Sequence, residues 1–383
     1  MLGKNKTLGI LGGGQLGKMV LDVSNRWGLK VYVLDSNIEC PSSKLCSKFF
    51  VGDLMDYDTV VQFGQNVDLI TIEIENVNVE ALKFLESKGK KVFPQPRVIE
   101  IIQDKSKQKE FYIDNEIPTS SFRSCNGIEE LKSLISKGEI SYPFIWKASK
   151  MGYDGYGVNK ISDNKSLEKL SDCHCIVEEL ISIKKELSVM VGLRESGEIL
   201  NYPVVEMEFN KDSNQVEYIL SPAQISQELK IKAEKLACNI AEKFKICGII
   251  AVEMFLTNQD EILVNEVAPR PHNSYHFSIE GSYTSQFEQL LRAILDLPLG
   301  STKILQNSVM VNLVGEKNSK GIVEYKNFDQ IIGIEGVNPH IYGKLETKPN
   351  RKMGHITIIN EDIELAKTIA KEIKETIIIT TRK

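Results

Sequence analysis

The run Ile249-Ile-Ala-Val-Glu-Met-Phe-Leu256, the turn Thr257-Asn-Gln-Asp260 and the run Glu261-Ile-Leu-Val-Asn-Glu-Val267 decide how this chain is read. Two apolar, β-rich runs around a short polar turn signal a hairpin. Centred on Gln259-Asp260, the hairpin sets Leu256 opposite Leu263 and Glu253 opposite Glu266. Directly opposed residues hold their Cβ atoms about 4.5–5.5 Å apart, and like charges so placed repel. A fold tolerates such a pair when one carboxyl is protonated or a cation sits between them. Mg²⁺, a hard ion that shares oxygen ligands with substrate phosphates, suits the position. A register slipped by one residue would instead turn one Glu to solvent.

Bulk properties narrow the classes. A chain of 383 residues provides for about two or three domains with a substantial core. Its 42% hydrophobic and 26% charged content marks a soluble globular protein. The net charge of −5 carries no electrostatic footprint for nucleic acid. No apolar run nears the roughly 20 residues that span a membrane. Thr7-Leu-Gly-Ile-Leu11 is too short for a signal segment and reads as a first strand. The seven Cys are scattered, without a C-x-x-C pair, as expected in a reducing cytoplasm. Cys173-His174-Cys175 lacks a second cluster and reads as packing.

Outward from the hairpin, strands and helices alternate near the start: strand 7–11, helix 15–27, strand 30–34, then strands 68–73 and 91–93 around helix 78–88. This predicts a doubly wound parallel sheet. A charged helix over 97–115 follows, then helix 127–136 and strands 143–148, 175–180, 186–193 and 204–209. Helix 227–244 precedes the hairpin, and helix 286–295 follows it. Short strands at 309–314, 354–359 and 376–380, with helix 363–375, close the chain. The expected division is 1–103, a Rossmann-like domain; 104–300, a larger domain with a glycine-rich loop at 150–157; and 301–383, a small β-rich domain. The class is α/β with α+β.

Several motifs carry chemistry. Gly12-Gly-Gly14-Gln-Leu-Gly17 lies between strand and helix, where backbone N–H groups receive an anion. With Asp35 ending the second strand, it fits a dinucleotide, another phosphate ligand or a purely structural turn. Lys147 sits mid-strand and needs a partner there, unless it snorkels to solvent. The following Lys150-Met-Gly152-Tyr-Asp-Gly155-Tyr-Gly157 could close its amides over phosphates. Lys105 reads as a solvated face and Glu178-Glu179 as turn acids, unless a nucleotide lies nearby. Pro269 and Pro271 display Arg270, His272 and Asn273 rigidly, as anion chemistry requires. Lys348-Pro-Asn-Arg351-Lys352, with Lys344 upstream, is a basic turn.

In this order the motifs resemble the ATP-grasp superfamily and, within it, the N5-carboxyaminoimidazole ribonucleotide synthetases of bacterial purine synthesis. The strings at 12–19, 72–78, 152–155, 265–274, 285–295 and 351–355 carry the likeness, and 265–274 and 285–295 are its specific parts. It implies an ATP-grasp fold and ATP-dependent carboxylation of 5-aminoimidazole ribonucleotide by bicarbonate, through carboxyphosphate. It also implies Mg²⁺, which Mn²⁺ can replace, and a cytoplasmic homodimer. By position, Lys105, Lys147, Gly152, Gly155, Gly157, Glu178, Glu179, Leu180, Ile181, Glu186, Asn265 and Glu266 would hold ATP. Glu253 and Glu266 would hold the metal, and Arg270, Lys147 and Asp154 would serve catalysis. Gly14, Gln15, Leu16, Glu73, Tyr153, Asp154, Asn273, Lys344, Arg351 and Lys352 would hold the ribonucleotide.

Met151 and Tyr156 stand where the family more often has a glycine and a cation, and Asn350 where it has glycine. Asn tolerates the left-handed geometry of such a turn. The nearest rival is a formate-dependent glycinamide ribonucleotide transformylase. A nicotinamide oxidoreductase built on Gly12–Gly17 would leave the Glu pair unexplained, and a silent nucleotide binder would need neither that pair nor Arg270.

Overall fold

The computed structural model describes residues 6–150, 157–210 and 215–382. The expected Gly152, Tyr153, Asp154 and Gly155, with Met151 and Tyr156, lie outside them.

The N-terminal part is a five-stranded, wholly parallel sheet. Its order is Lys48–Val51, Lys30–Asp35, Thr7–Leu11, Leu69–Ile72, Lys91–Val92. The winding reverses between Thr7–Leu11 and Leu69–Ile72, and ligands bind beyond the carboxyl ends of strands at such a switch point. The glycine turn leaves the first of these strands and Glu73 the second, so the sequence places both at the crevice.

A four-stranded antiparallel sheet runs Phe122–Cys125, Cys175–Glu179, Phe144–Ala148, Val158–Ile161. The largest sheet has nine strands. From Ile262–Ala268 it passes through Gly248–Thr257, Ile183–Leu193, Val205–Phe209 and Val216–Ser221 to Ser308–Val314, Lys352–Ile359 and Val337–Ile341. The pairing of Val216–Ser221 with Ser308–Val314 carries this sheet unbroken past residue 300. Helix Gln227–Phe244 covers one face, setting Ala233, Ala237, Ile240 and Phe244 against Val252, Met254, Leu256 and Val264. Each large side chain buried this way contributes roughly 1.5–3 kcal/mol. Side chains alternate along a strand, so Glu253 faces away from this helix.

Three expectations need correction. The helix read over 97–115 is two helices, Pro96–Ile102 and Lys105–Asp114. Asp104 ends the first continuity by capping the second, accepting from the N–H groups of Ser106 at 3.0 Å and Lys107 at 3.4 Å. The hairpin pairs Leu256 with Ile262 and Phe255 with Leu263. Glu253 nonetheless faces Glu266, because the ladder is irregular between Glu253 and Met254, and Asn265 is the extra residue. The strands Phe122–Cys125, Val216–Ser221, Gly321–Lys326 and Val337–Ile341 and the helix Tyr57–Gln65 were not anticipated. Among the described residues no helix is long and apolar enough to cross a membrane.

Candidate active site

The bulge arranges one side of a cleft. Val264 and Val267 keep their places in the core, while Asn265 and Glu266 both turn to the opposite face. There Lys147 Nζ donates to Asn265 Oδ1 at 2.9 Å, and Lys105 Nζ reaches Glu266 Oε2 at 3.4 Å. Lys105 is therefore not a solvated face. Its backbone N–H also donates to Ser149 O at 2.8 Å, tying the helix start to the root of the glycine loop. Glu186, from the next strand, faces the same cleft.

The carboxylates differ in charge preference. Burial pushes Glu253 up to about 8, helped by the charges of Glu266 and Glu186. Lys105 holds Glu266, which is only half-buried, below the ordinary range. Burial raises Glu186 to about 7. His272 Nε2 lies 3.3 Å from Glu253 Oε1. Among the described residues no group of three or more His, Cys, Asp or Glu forms a metal cage. An opposed pair that cannot keep both charges does fit Mg²⁺ shared with phosphates.

The opposite wall contains a buried ion cluster. Lys147 does not snorkel: its Nζ lies 2.8 Å from Glu178 Oε2, and Lys109 Nζ lies 2.8 Å from Oε1. Glu178 is 3% exposed, so it is no turn acid. Glu179 and Leu180 are exposed and Ile181 half-buried, on the link between strands Cys175–Glu179 and Ile183–Leu193. The Glu179 N–H is already given to Ser121 O. Gly157 takes φ +76°, and its carbonyl accepts from Ala148 N–H at 2.9 Å.

At the switch point Glu73 lies over the glycine turn. Its Oε2 accepts from Gly17 N–H at 3.1 Å, and a Cβ on Gly14 would meet Oε1 at 2.2 Å. A side chain at Gly14 would displace the Glu73 carboxylate from the Gly17 N–H. Gly12 has φ +100°, where only glycine is unstrained. Asp35 accepts from Gly13 N–H at 2.7 Å, a turn-holding contact. The helix Gln15–Arg26 has no side-chain cap, leaving its first-turn N–H groups at Gln15 and Leu16 toward the crevice. The Leu16 side chain belongs to the core. Burial raises Glu73 to about 7, against the Gly17 hydrogen bond and the charges of Arg270 and Lys344.

Arg270 links the walls. Its Nε donates to Glu75 Oε2 at 2.8 Å. Its charge acts on Glu73 and Glu253 alike. Asn273 pairs its amide reciprocally with Asn312, at 2.9 and 2.8 Å, and both are buried. In the basic turn Asn350 does take φ +61°. Lys344 Nζ donates to Lys352 O at 2.8 Å and Arg351 Nη1 to Glu346 O at 2.7 Å. The Lys352 charge opposes the rise of Glu253.

Lys109 and Glu75 are functional candidates that no local motif announces, and His272, displayed beside Arg270, adds its contact with Glu253. Lys109 lay inside a uniformly polar run, Lys105-Ser-Lys-Gln-Lys-Glu110. Glu75 lies two residues from Glu73 in Ile72-Glu-Ile-Glu75, and that spacing at one strand end is its signal in the sequence.

A parallel-sheet domain set against two antiparallel sheets, with opposed carboxylates and lysines in the cleft between them, defines the ATP-grasp class. The family model described as ATP-grasp domain matches residues 110–287. Those described as ribonucleotide synthetase preATP-grasp domain and phosphoribosylaminoimidazole carboxylase C-terminal domain match 5–103 and 308–368. The chain belongs to the N5-carboxyaminoimidazole ribonucleotide synthase family: it is 35% identical to the Bacillus subtilis synthase over 92% of this chain and 91% of that one. The crystal structure of the Thermotoga maritima synthetase superposes with a TM-score of 0.91 at 40% identity, covering 98% of this chain and 100% of that one. The Aspergillus clavatus synthase, solved with ADP and 5-aminoimidazole ribonucleotide, gives 0.88 at 32% identity over 97% and 98%. The chain spans 64% of the length of the Saccharomyces cerevisiae phosphoribosylaminoimidazole carboxylase, to which it is 37% identical.

Proposed function

We propose that this chain joins bicarbonate to the exocyclic amine of 5-aminoimidazole ribonucleotide at the expense of ATP, giving N5-carboxyaminoimidazole ribonucleotide, ADP and phosphate. The observation that carries the reading is the opposed pair Glu253 and Glu266 beside Lys105 and Lys147, with Arg270, a few residues beyond Glu266, bonded to Glu75 near the glycine turn. One cation thus lies between a nucleoside triphosphate site and a second, polar ligand site. The Aspergillus relative, solved with ADP and 5-aminoimidazole ribonucleotide, supports the same pairing of ligands.

Lys105 and Lys147 meet the triphosphate, the link Glu179–Ile181 borders the adenine, and Glu186 lies by the ribose. Glu253 and Glu266 hold Mg²⁺, which when bound offsets phosphate charge. Bicarbonate oxygen attacks the γ-phosphorus as the bond to the ADP oxygen breaks. Arg270 stabilises the anion formed, carboxyphosphate, and charge placed in advance against it lowers the barrier. The new C–N bond forms as the C–O bond to phosphate breaks and the amine loses its proton. Lys344, Arg351 and Lys352 receive the ribonucleotide together with Asn273, Glu73 and the Gly14, Gln15 and Leu16 positions of the glycine turn. Tyr153 and Asp154 hold the ribonucleotide, Asp154 also serving catalysis, and the loop 150–157 excludes water from carboxyphosphate. The division 1–103, 104–300 and 301–383 and a cytoplasmic homodimer belong to the same proposal.

The test is ADP release from ATP with each acceptor. Release that needs both bicarbonate and 5-aminoimidazole ribonucleotide is expected. Release driven equally by formate and glycinamide ribonucleotide would overturn the reading.

A further inference from the structure

Two buried ammonium groups share the Glu178 carboxylate, and only one of them borders the cleft. Lys147 takes Oε2 and also donates to Asn265. Lys109, 2% exposed, takes Oε1 and donates to Thr119 Oγ1 and Ser120 Oγ as well. The Lys109 ammonium thus has its ion-pair and hydrogen-bond partners inside the protein. Thr119 passes the connection on, donating to Val264 O at 2.7 Å, next to the bulged Asn265. Lys109 therefore stands where the four-stranded sheet, the helix Lys105–Asp114 and the hairpin meet.

We propose that Lys109 is a positioning residue of the ATP site, holding Glu178 so that Lys147 stays available to the triphosphate. This rests on the reading of the cleft as an ATP site. A carboxylate with a single ammonium partner is a closed neutral pair, and a phosphate must pull Lys147 from the whole of its charge. The withdrawal would leave Glu178 buried and uncompensated, which is costly. A second ammonium on the other oxygen removes that penalty and leaves the triad with a net positive charge. Lys147 can then lean toward phosphate while Glu178 keeps a partner. Burial lowers Lys109 to about 8, opposed by Glu178, so the cation persists at neutral pH. Lys109 itself touches no ligand, which separates it from Lys105 and Lys147.

The experiment is calorimetric titration of the full chain with ATP and Mg²⁺, without bicarbonate or ribonucleotide, and with melting temperatures measured alongside. Lys147→Ala should weaken binding; unchanged binding there would overturn the ATP-site reading itself. Lys109→Met should weaken ATP by about tenfold, and Lys109→Arg should stay near wild type. The deciding variant is Lys109→Met with Glu178→Gln. Removing the charge that clamps Lys147 should recover most of the lost affinity, whereas a merely structural role for Lys109 leaves the double variant no tighter than the single one. Wild-type affinity in Lys109→Met, or no recovery in the double variant, overturns the proposal. If Lys109→Met does not fold, Lys109→Gln keeps a donor for Thr119 and Ser120 and is read the same way.

Discussion

Glu253 and Glu266 face each other across the hairpin through a one-residue bulge at Asn265, which turns Asn265 and Glu266 together into the cleft. Their environments then separate them: Lys105 keeps Glu266 charged, while burial favours the proton on Glu253. Glu266→Gln removes the member that is charged and nearest the lysines. Turnover should fall by at least about 100-fold, as for loss of a group that acts on transition-state charge, with circular dichroism unchanged. A variant keeping a near-normal rate at ordinary Mg²⁺ would refute the metal assignment.

The same asymmetry sets a pH dependence. An exposed Glu titrates near 4.5 and Glu253 near 8 in the fold. Between these values the folded state binds a proton that the unfolded chain has lost. Stability therefore falls as pH rises through this window. Glu73 and Glu186, raised to about 7, act in the same direction. Glu266, lowered, contributes stability above its ordinary value that is lost only in acid. Without Mg²⁺ or nucleotide, Glu253→Gln should gain melting temperature relative to wild type from about pH 5 to about pH 9. Parallel melting curves across that range would disprove the shift.

How much of this was legible in the sequence varied with the kind of signal. The hairpin and its carboxylate pair could be read because strand alternation and a polar turn are local. The bulge could not, since alternation does not reveal an extra residue, and counting from the turn mispaired Leu256. Asp104 was a readable cap, but the charged composition around it hid the break between helices. The roles of Glu178 and Lys109 depend on three chain segments meeting, which no local pattern encodes. Asn273 was expected at the ribonucleotide, and its pairing with Asn312, from a strand far along the chain, was equally out of reach.

That amide pair yields a stability prediction. Asn273 and Asn312 exchange two hydrogen bonds, and Asn312 also donates to Val216 O at 2.9 Å. Asn312→Val leaves the buried Asn273 amide and the half-buried Val216 carbonyl without these partners. Such a loss costs about 1–3 kcal/mol per orphaned group. Denaturant unfolding should show a lower midpoint with little change in slope. An unchanged midpoint would mean that water replaces the Asn312 amide.

Glu75 provides the last prediction, because it reaches Arg270 from the N-terminal part. The Arg270 Nε bond to Glu75 Oε2, with its Nη1 bond to Pro271 O at 3.0 Å, sets the plane of the guanidinium. The Glu75 backbone is itself held, with its carbonyl accepting from Gln103 Nε2 at 2.6 Å. Glu75→Ala leaves Arg270 its charge but removes this constraint. A charge-assisted hydrogen bond contributes about 1.5–3 kcal/mol, so kcat/KM for bicarbonate should fall roughly tenfold or more. Binding of ATP and Mg²⁺ should stay within about twofold, since the phosphate-facing lysines sit on the other side of the cleft. A variant losing ATP affinity and bicarbonate efficiency in equal measure would show that Glu75 supports the whole cleft and does not act through Arg270. An unaltered kcat/KM would refute the positioning role of Glu75, because the guanidinium would then be held well enough by Pro271 O without it.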